Sequence, residues 1–194
     1  GGRPSFTPED GVMNEKQQRM SLELRSAFPE YVNSLALVGE DGRKMTLEAD
    51  GSGPFRDYVQ SLLMDSARSA LRRGVSLADQ EWLKTEEDQV LDMSFDAYAK
   101  HITRMKCTPA FDCDRMDSPE NHEFGTETED YLHFTSYAAS QDPEGGKTAQ
   151  PQVVRMMNPL ESLRSGKSTP AKYWRIRVGE RDRDTSHAVA ALLA

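Results

Sequence analysis

The run Trp174-Arg175-Ile176-Arg177-Val178 alternates apolar and charged side chains. It passes through Gly179 and Glu180-Arg181-Asp182-Arg183-Asp184-Thr185-Ser186 into an apolar stretch that reaches Ala194. Period-two alternation, a polar turn and then helical spacing predict a strand, a turn and a helix in that order. In an open α/β sheet, functional groups collect at the carboxyl ends of strands. Asp182 and Asp184 stand at such an end. Only about two turns of the helix are written before Ala194, so the expectation is an α/β chain that carries part of a larger fold.

The preceding residues have a different rhythm. Residues 1–12 are rich in Pro, Gly and charge and are expected to be a connecting segment. Asn14 is a candidate N-cap for a helix bearing Met20, Leu24, Ala27 and Phe28, interrupted at Pro29, and a second short helix carries Tyr31, Val32 and Leu35. An Asp41-Gly42 pair predicts a small hairpin over 37–47. Phe55, Tyr58, Val59, Leu62, Leu63, Ala67, Ala70 and Leu71 follow helical spacing between Pro54 and Arg73, with Gly74 as the stop. Ser94 caps a helix with Phe95, Tyr98, Ile102 and Met105 on one stripe. Further helical runs are expected over about 128–139 and about 152–157. The organisation expected is a mainly helical region over 13–150, then a partial core over 151–194 with a strand near 172–178 and a helix from about 185.

Net charge is −8, from 32 acidic and 24 basic residues mixed along the chain. Without a basic stripe, nucleic acid and anionic membrane are poor partners. No apolar run approaches a membrane span, and Gly-Gly-Arg-Pro at the start lacks the pattern of a signal peptide. The expectation is an ordinary soluble protein, cytoplasmic or secreted, with the compartment left open. Four scattered histidines, His101, His122, His133 and His187, have no zinc spacing, and no glycine-rich phosphate loop is present. Neither a metal nor a cofactor is therefore expected. Cys107 and Cys113 lack metal-site partners and are read as packed or free thiols.

Asp182 and Asp184 admit two roles. Acids at a helix start cap free amides and complement its dipole; an acid at a strand end can also orient a catalytic histidine. Both roles fit the local pattern.

Several blocks, taken in order, carry a resemblance. They are Tyr98-Ala99-Lys100-His101-Ile102-Thr103-Arg104-Met105-Lys106, Thr108-Pro109-Ala110-Phe111-Asp112, Ser118-Pro119-Glu120-Asn121 with Phe124-Gly125-Thr126-Glu127-Thr128, Met156-Met157-Asn158-Pro159, and the Trp174 to Ser186 run. Together they resemble the bacterial tannase family of the lactobacillus type, serine esterases of the α/β-hydrolase superfamily with a large lid inserted in the core. The resemblance implies that residues 13–150 are the lid and that Asp182 is the acid of a Ser-His-Asp triad. It also implies that Asp184, Lys106 and Glu120 contact the hydroxyls of a galloyl ring. Carboxylates accept hydrogen bonds from phenolic hydroxyls, and an ammonium donates one and favours phenolate character. On spacing alone, Lys106 and Glu120 are ordinary surface charges.

The chain departs from that pattern in two ways. It has no Gly-x-Ser-x-Gly elbow, which precedes the acid in α/β hydrolases, and no histidine follows the helix after Asp182. His187, in the first helical turn, is expected to face solvent or cap. The nucleophile and the base are therefore expected from the remainder of a hydrolase core, with an aromatic ester as the small-molecule partner, and the 194-residue chain alone is expected to be inactive. A feruloyl, cinnamoyl or general acyl esterase of the same fold is an alternative. So is a non-catalytic binding or interaction module.

Overall fold

The computed structural model describes residues 13–87, 89–102, 108–167, 169–179, 182 and 185–194. They divide into two compact units, one drawn from 1–21 and 105–176, the other from 22–104 and 177–194. Helix α1, Glu15–Ser34, contributes residues 15–21 to the first and 22–34 to the second. Lys16, Asp112, Asp142 and Glu120 belong to the first unit; Asp182 and His187 belong to the second.

The second unit is built on α2, Pro54–Arg72, which buries Phe55, Val59, Leu63 and Ala67 at intervals of four. Pro54 occupies the first turn, where a missing N–H costs nothing. At the other end the Gly74 N–H reaches the Leu71 carbonyl at 2.8 Å and the Val75 N–H the Ala70 carbonyl at 3.1 Å, the Schellman pattern that a positive φ at Gly74 allows. Around α2 gather a hairpin of β1, Leu83–Glu86, and β2, Gln89–Met93, then α3, Phe95–Ile102, and α8, His187–Leu193. Their shared core contains Val32, Leu47, Phe55, Val59, Leu63, Trp82, Met93, Tyr98, Ile102 and Ala191.

In the first unit α4, Pro119–Glu123, and α5, Ser136–Gln141, pack about buried Asp112, Asn121 and His133. They are followed by α6, Pro151–Met157, and α7, Pro159–Arg164. Among the described residues the β1–β2 hairpin is the only sheet, so the architecture is helical with one small hairpin. No described helix is long and apolar enough to cross a membrane.

Several sequence expectations give way here. Pro29 does not end α1, which runs through it to Ser34. The carbonyl that loses its partner belongs to Arg25, an exposed residue. The helix expected over 128–139 shrinks to α5, because Leu132 and His133 spend their backbone groups on Asn121, Lys147 and Ala149. The hairpin over 37–47 survives as a single bridge, Val38 to Lys44. The strand expected near 172–178 has no ladder among the described residues, and Tyr173 and Trp174 are 83% and 57% exposed. A strand exists only through its neighbours' N–H and C=O groups; alternation alone does not supply them.

Candidate functional site

Asp182 is half-buried in the turn before α8. Its Oδ1 accepts the Thr185 N–H at 2.9 Å, and its own N–H donates to the Gly179 carbonyl at 3.1 Å. The cap of α8 is Ser186, whose Oγ accepts the Ala188 N–H at 3.3 Å. Capping, the ordinary work of an acid at this place, therefore falls to Ser186, and Asp182 closes the turn ahead of it. Asp184 and Lys106 lie outside the described residues.

Glu120 sits in the first turn of α4, half-buried, with its Oε2 shielded from solvent. The local sequence explains the helix. Ser118 Oγ caps it by accepting the Asn121 N–H at 3.0 Å, and Pro119 follows at N1.

Beneath α4 lies a polar network that sequence reasoning missed. Asn121 is wholly buried, and its Nδ2 donates to Asp112 Oδ1 at 2.7 Å and to the Leu132 carbonyl at 3.0 Å. Asp112 Oδ1 also meets His133 Nδ1 at 2.8 Å, and its Oδ2 accepts the Phe134 N–H, the Thr135 N–H and the Thr135 hydroxyl at 2.9, 2.6 and 2.7 Å. His133 Nε2 faces Asp142 Oδ2 at 3.2 Å. Both imidazole contacts are hydrogen bonds only when both ring nitrogens carry protons. Burial pushes the Asp112 carboxyl up, but donors from His133, Thr135, Asn121 and the Phe134 amide outweigh it and leave the group below its ordinary 3.8. The backbone N–H of Glu144, with smaller help from His133 and the Gly146 N–H, likewise holds Asp142 low. Ser118-Pro119 is the local signal that could have marked the start of α4; a pairing of residues 112 and 133 across 21 positions leaves no periodic trace.

His187 does not face solvent or cap. It is half-buried, with its ring nitrogens 3.2 and 3.3 Å from the Tyr98 hydroxyl and its ring edge-on to Tyr98 at 5.7 Å. The two residues join Phe55, Val59 and Ile102 in lining an apolar cavity of about 420 Å³ within the second unit. Cys113 is a free, half-buried thiol that burial, with help from Asp117, pushes up to about 11. At neutral pH it is protonated and a poor nucleophile. Among the described residues no group of His, Cys, Asp and Glu is arranged to hold a metal ion; the His133 ring nitrogens already face carboxylates.

No family model and no curated protein matches the chain. Solved structures do. A tannase of Lactobacillus plantarum in an orthorhombic crystal aligns at TM-score 0.92 with 40% identity, over 100% of this chain and 41% of its own. A tannase of Fusobacterium nucleatum aligns at 0.85 with 35% identity, over 95% of this chain and 40% of its own. A tannin acyl hydrolase in complex with ethyl gallate aligns at 0.88 with 40% identity, over 95% of this chain and 40% of its own. The chain thus spans about two fifths of the length of the structures it matches. In sequence and in fold, along nearly its whole length, it is similar to one portion of the bacterial tannases.

Proposed function

We propose that this chain is the lid and triad-acid portion of a serine esterase that hydrolyses galloyl and related esters of hydroxylated aromatic acids. The observation that carries the reading is the 40% identity, over 95% of the chain, with a tannin acyl hydrolase solved with ethyl gallate. A further match is to a tannin acyl hydrolase in complex with 3,4-dihydroxybenzoate, which is consistent with an acyl ring recognised by its hydroxyls.

In the complete enzyme a serine outside this chain attacks the ester carbonyl, and a histidine outside it takes the serine proton and delivers it to the leaving alcohol. Asp182 accepts the other imidazole N–H and stabilises the imidazolium; water then releases the acyl group by the same steps. Ser186, not Asp182, caps α8, which is consistent with a role for the Asp182 carboxylate other than capping. Glu120 and Asp184 accept hydrogen bonds from ring hydroxyls, and Lys106 donates one. Residues 173–178 become a strand of the α/β-hydrolase sheet, with ladder partners supplied by the remainder of the core. The exposure of Tyr173, Trp174 and Ile176 supports that reading, since several large apolar side chains close together are seldom all left bare.

The test uses the full-length gene product. Asp182→Asn is expected to lower turnover on the order of 10⁴-fold with folding intact. Near-normal turnover removes Asp182 from the triad. Lys106→Met and Glu120→Gln should harm a trihydroxybenzoate ester more than an unsubstituted benzoate ester, and equal harm to both would make these residues structural. The 194-residue chain alone is expected to show no hydrolysis, and serine-inhibitor-sensitive turnover by it would refute that.

A further inference from the structure

Helix α4 has five residues, too few to hold itself in place, so its position is set by what its side chains grip. The grip is concentrated on Asn121, the residue next to Glu120. Every polar group of Asn121 is engaged: Nδ2 to Asp112 and Leu132, Oδ1 from the Cys113 N–H at 3.1 Å, the backbone N–H to Ser118, and the backbone carbonyl from the Leu132 N–H at 3.1 Å. Asp112 is in turn fixed by His133, Phe134 and Thr135, and His133, with no exposed surface, by Asp142. At the helix's far end Phe124 stacks on Phe134, rings 4.3 Å apart and 15° from parallel. Buried polar networks often stabilise no better than apolar packing of equal volume, but a fully satisfied one admits a single geometry. A site that reads hydroxyls needs such a geometry in the residue that meets them, because an ångström of displacement weakens a directional bond steeply.

We propose that Asn121 is a positioning residue: seated on Asp112 and His133, it fixes the adjacent Glu120 and thereby sets the preference for hydroxylated over plain aromatic acyl groups. The inference rests on the assignment of Glu120 to the substrate hydroxyls.

The test is steady-state kinetics on the full-length gene product with a trihydroxybenzoate ester and the unsubstituted benzoate ester. Asn121→Ala is expected to lower the ratio of their kcat/KM values about tenfold, chiefly through KM of the hydroxylated ester. Glu120→Gln lowers the same ratio. The double variant loses no more selectivity than Glu120→Gln alone, because Asn121 acts through Glu120. Ser118→Ala, which removes the hydroxyl that accepts the Asn121 N–H and meets Asn121 Oδ1 and the Phe111 carbonyl but leaves the Asp112, Cys113 and Leu132 bonds, shifts the ratio in the same direction by less and carries the test should Asn121→Ala not fold. If Glu120→Gln changes the ratio while Asn121→Ala and Ser118→Ala do not, or if the losses multiply in the double variant, Asn121 only supports the fold and the inference is wrong. If Glu120→Gln leaves the ratio unchanged, the assignment of Glu120 itself falls, and the inference with it.

Discussion

Asp112 is 4% exposed and accepts five hydrogen bonds, two on Oδ1 and three on Oδ2. Every neighbour is a donor, so only a carboxylate suits the site. Asp112→Ala leaves the Phe134 and Thr135 amides, the Asn121 amide and the His133 ring without an acceptor. Each buried unpaired donor costs about 1–3 kcal/mol, but relaxation and entering water recover part of the sum. A loss of about 3–5 kcal/mol, as for breaking a buried ion pair, is the expected result. That is a large share of the roughly 5–15 kcal/mol that keeps a domain folded. Asp112→Asn is the sharper variant, because whichever way its amide turns, the NH₂ faces a donor, the Asn121 Nδ2 on one side or the Phe134 and Thr135 N–H groups on the other. It should cost about 2 kcal/mol or more despite its near-identical shape. Urea unfolding measures the loss, and hydrogen exchange at the Phe134 and Thr135 amides localises it, with exchange faster by on the order of tenfold for each 1.4 kcal/mol. The folded-state carboxyl lies below 3.8, so its contribution is fully present above that pH and is lost as pH falls through the lower folded value. Both variants should flatten the parent's acid limb there. An Asp112→Asn protein within about 0.5 kcal/mol of the parent, with unchanged amide protection, would refute the reasoning.

Two further outcomes follow from the same structure. In a Cys107→Ser background, Cys113 should react negligibly with iodoacetamide near pH 7.5, and its rate should climb as pH approaches about 11; a fast reaction at neutral pH would contradict the buried thiol. Gly53 holds φ at +119° with the Thr46 carbonyl 2.8 Å from where a Cβ would stand, so Gly53→Ala should lower stability by at least about 1 kcal/mol in urea titration.

What was legible in the sequence is what repeats locally. Helix α2 announced itself by Phe55, Val59 and Leu63 and by its Gly74 stop, and α8 by the apolar run after Ser186. The β1–β2 hairpin was not read, because Lys84-Thr85-Glu86 shows no apolar alternation and its stability comes from Val90 and Met93 reaching the core. At the candidate site the contrast is sharper. Helix α4 lies where no helix is expected from the sequence, although Ser118 and Pro119 form its cap and first position, and nothing near Glu120 indicates that Asp112 and His133, far along the chain, hold its neighbour. The sequence placed Asp182 before a helix, but which residue there caps α8 is set by geometry, and it is Ser186.

The division of these residues between two units has a consequence for the proposed enzyme. Glu120 belongs to the first unit and Asp182 to the second. A triad acid acts on the histidine and is indifferent to ring substituents, whereas the proposed role of Glu120 is confined to the hydroxyls of the acyl group. Loss of Asp182 should therefore slow gallate and benzoate esters alike, chiefly in kcat. Loss of Glu120 should change their ratio and leave benzoate turnover near its starting value. Independent effects multiply, so Asp182→Asn combined with Glu120→Gln should show the product of the two losses on the gallate ester. A double variant much less impaired than that product would mean that the two carboxylates serve one function, and that lid and triad acid are not separable parts of the site.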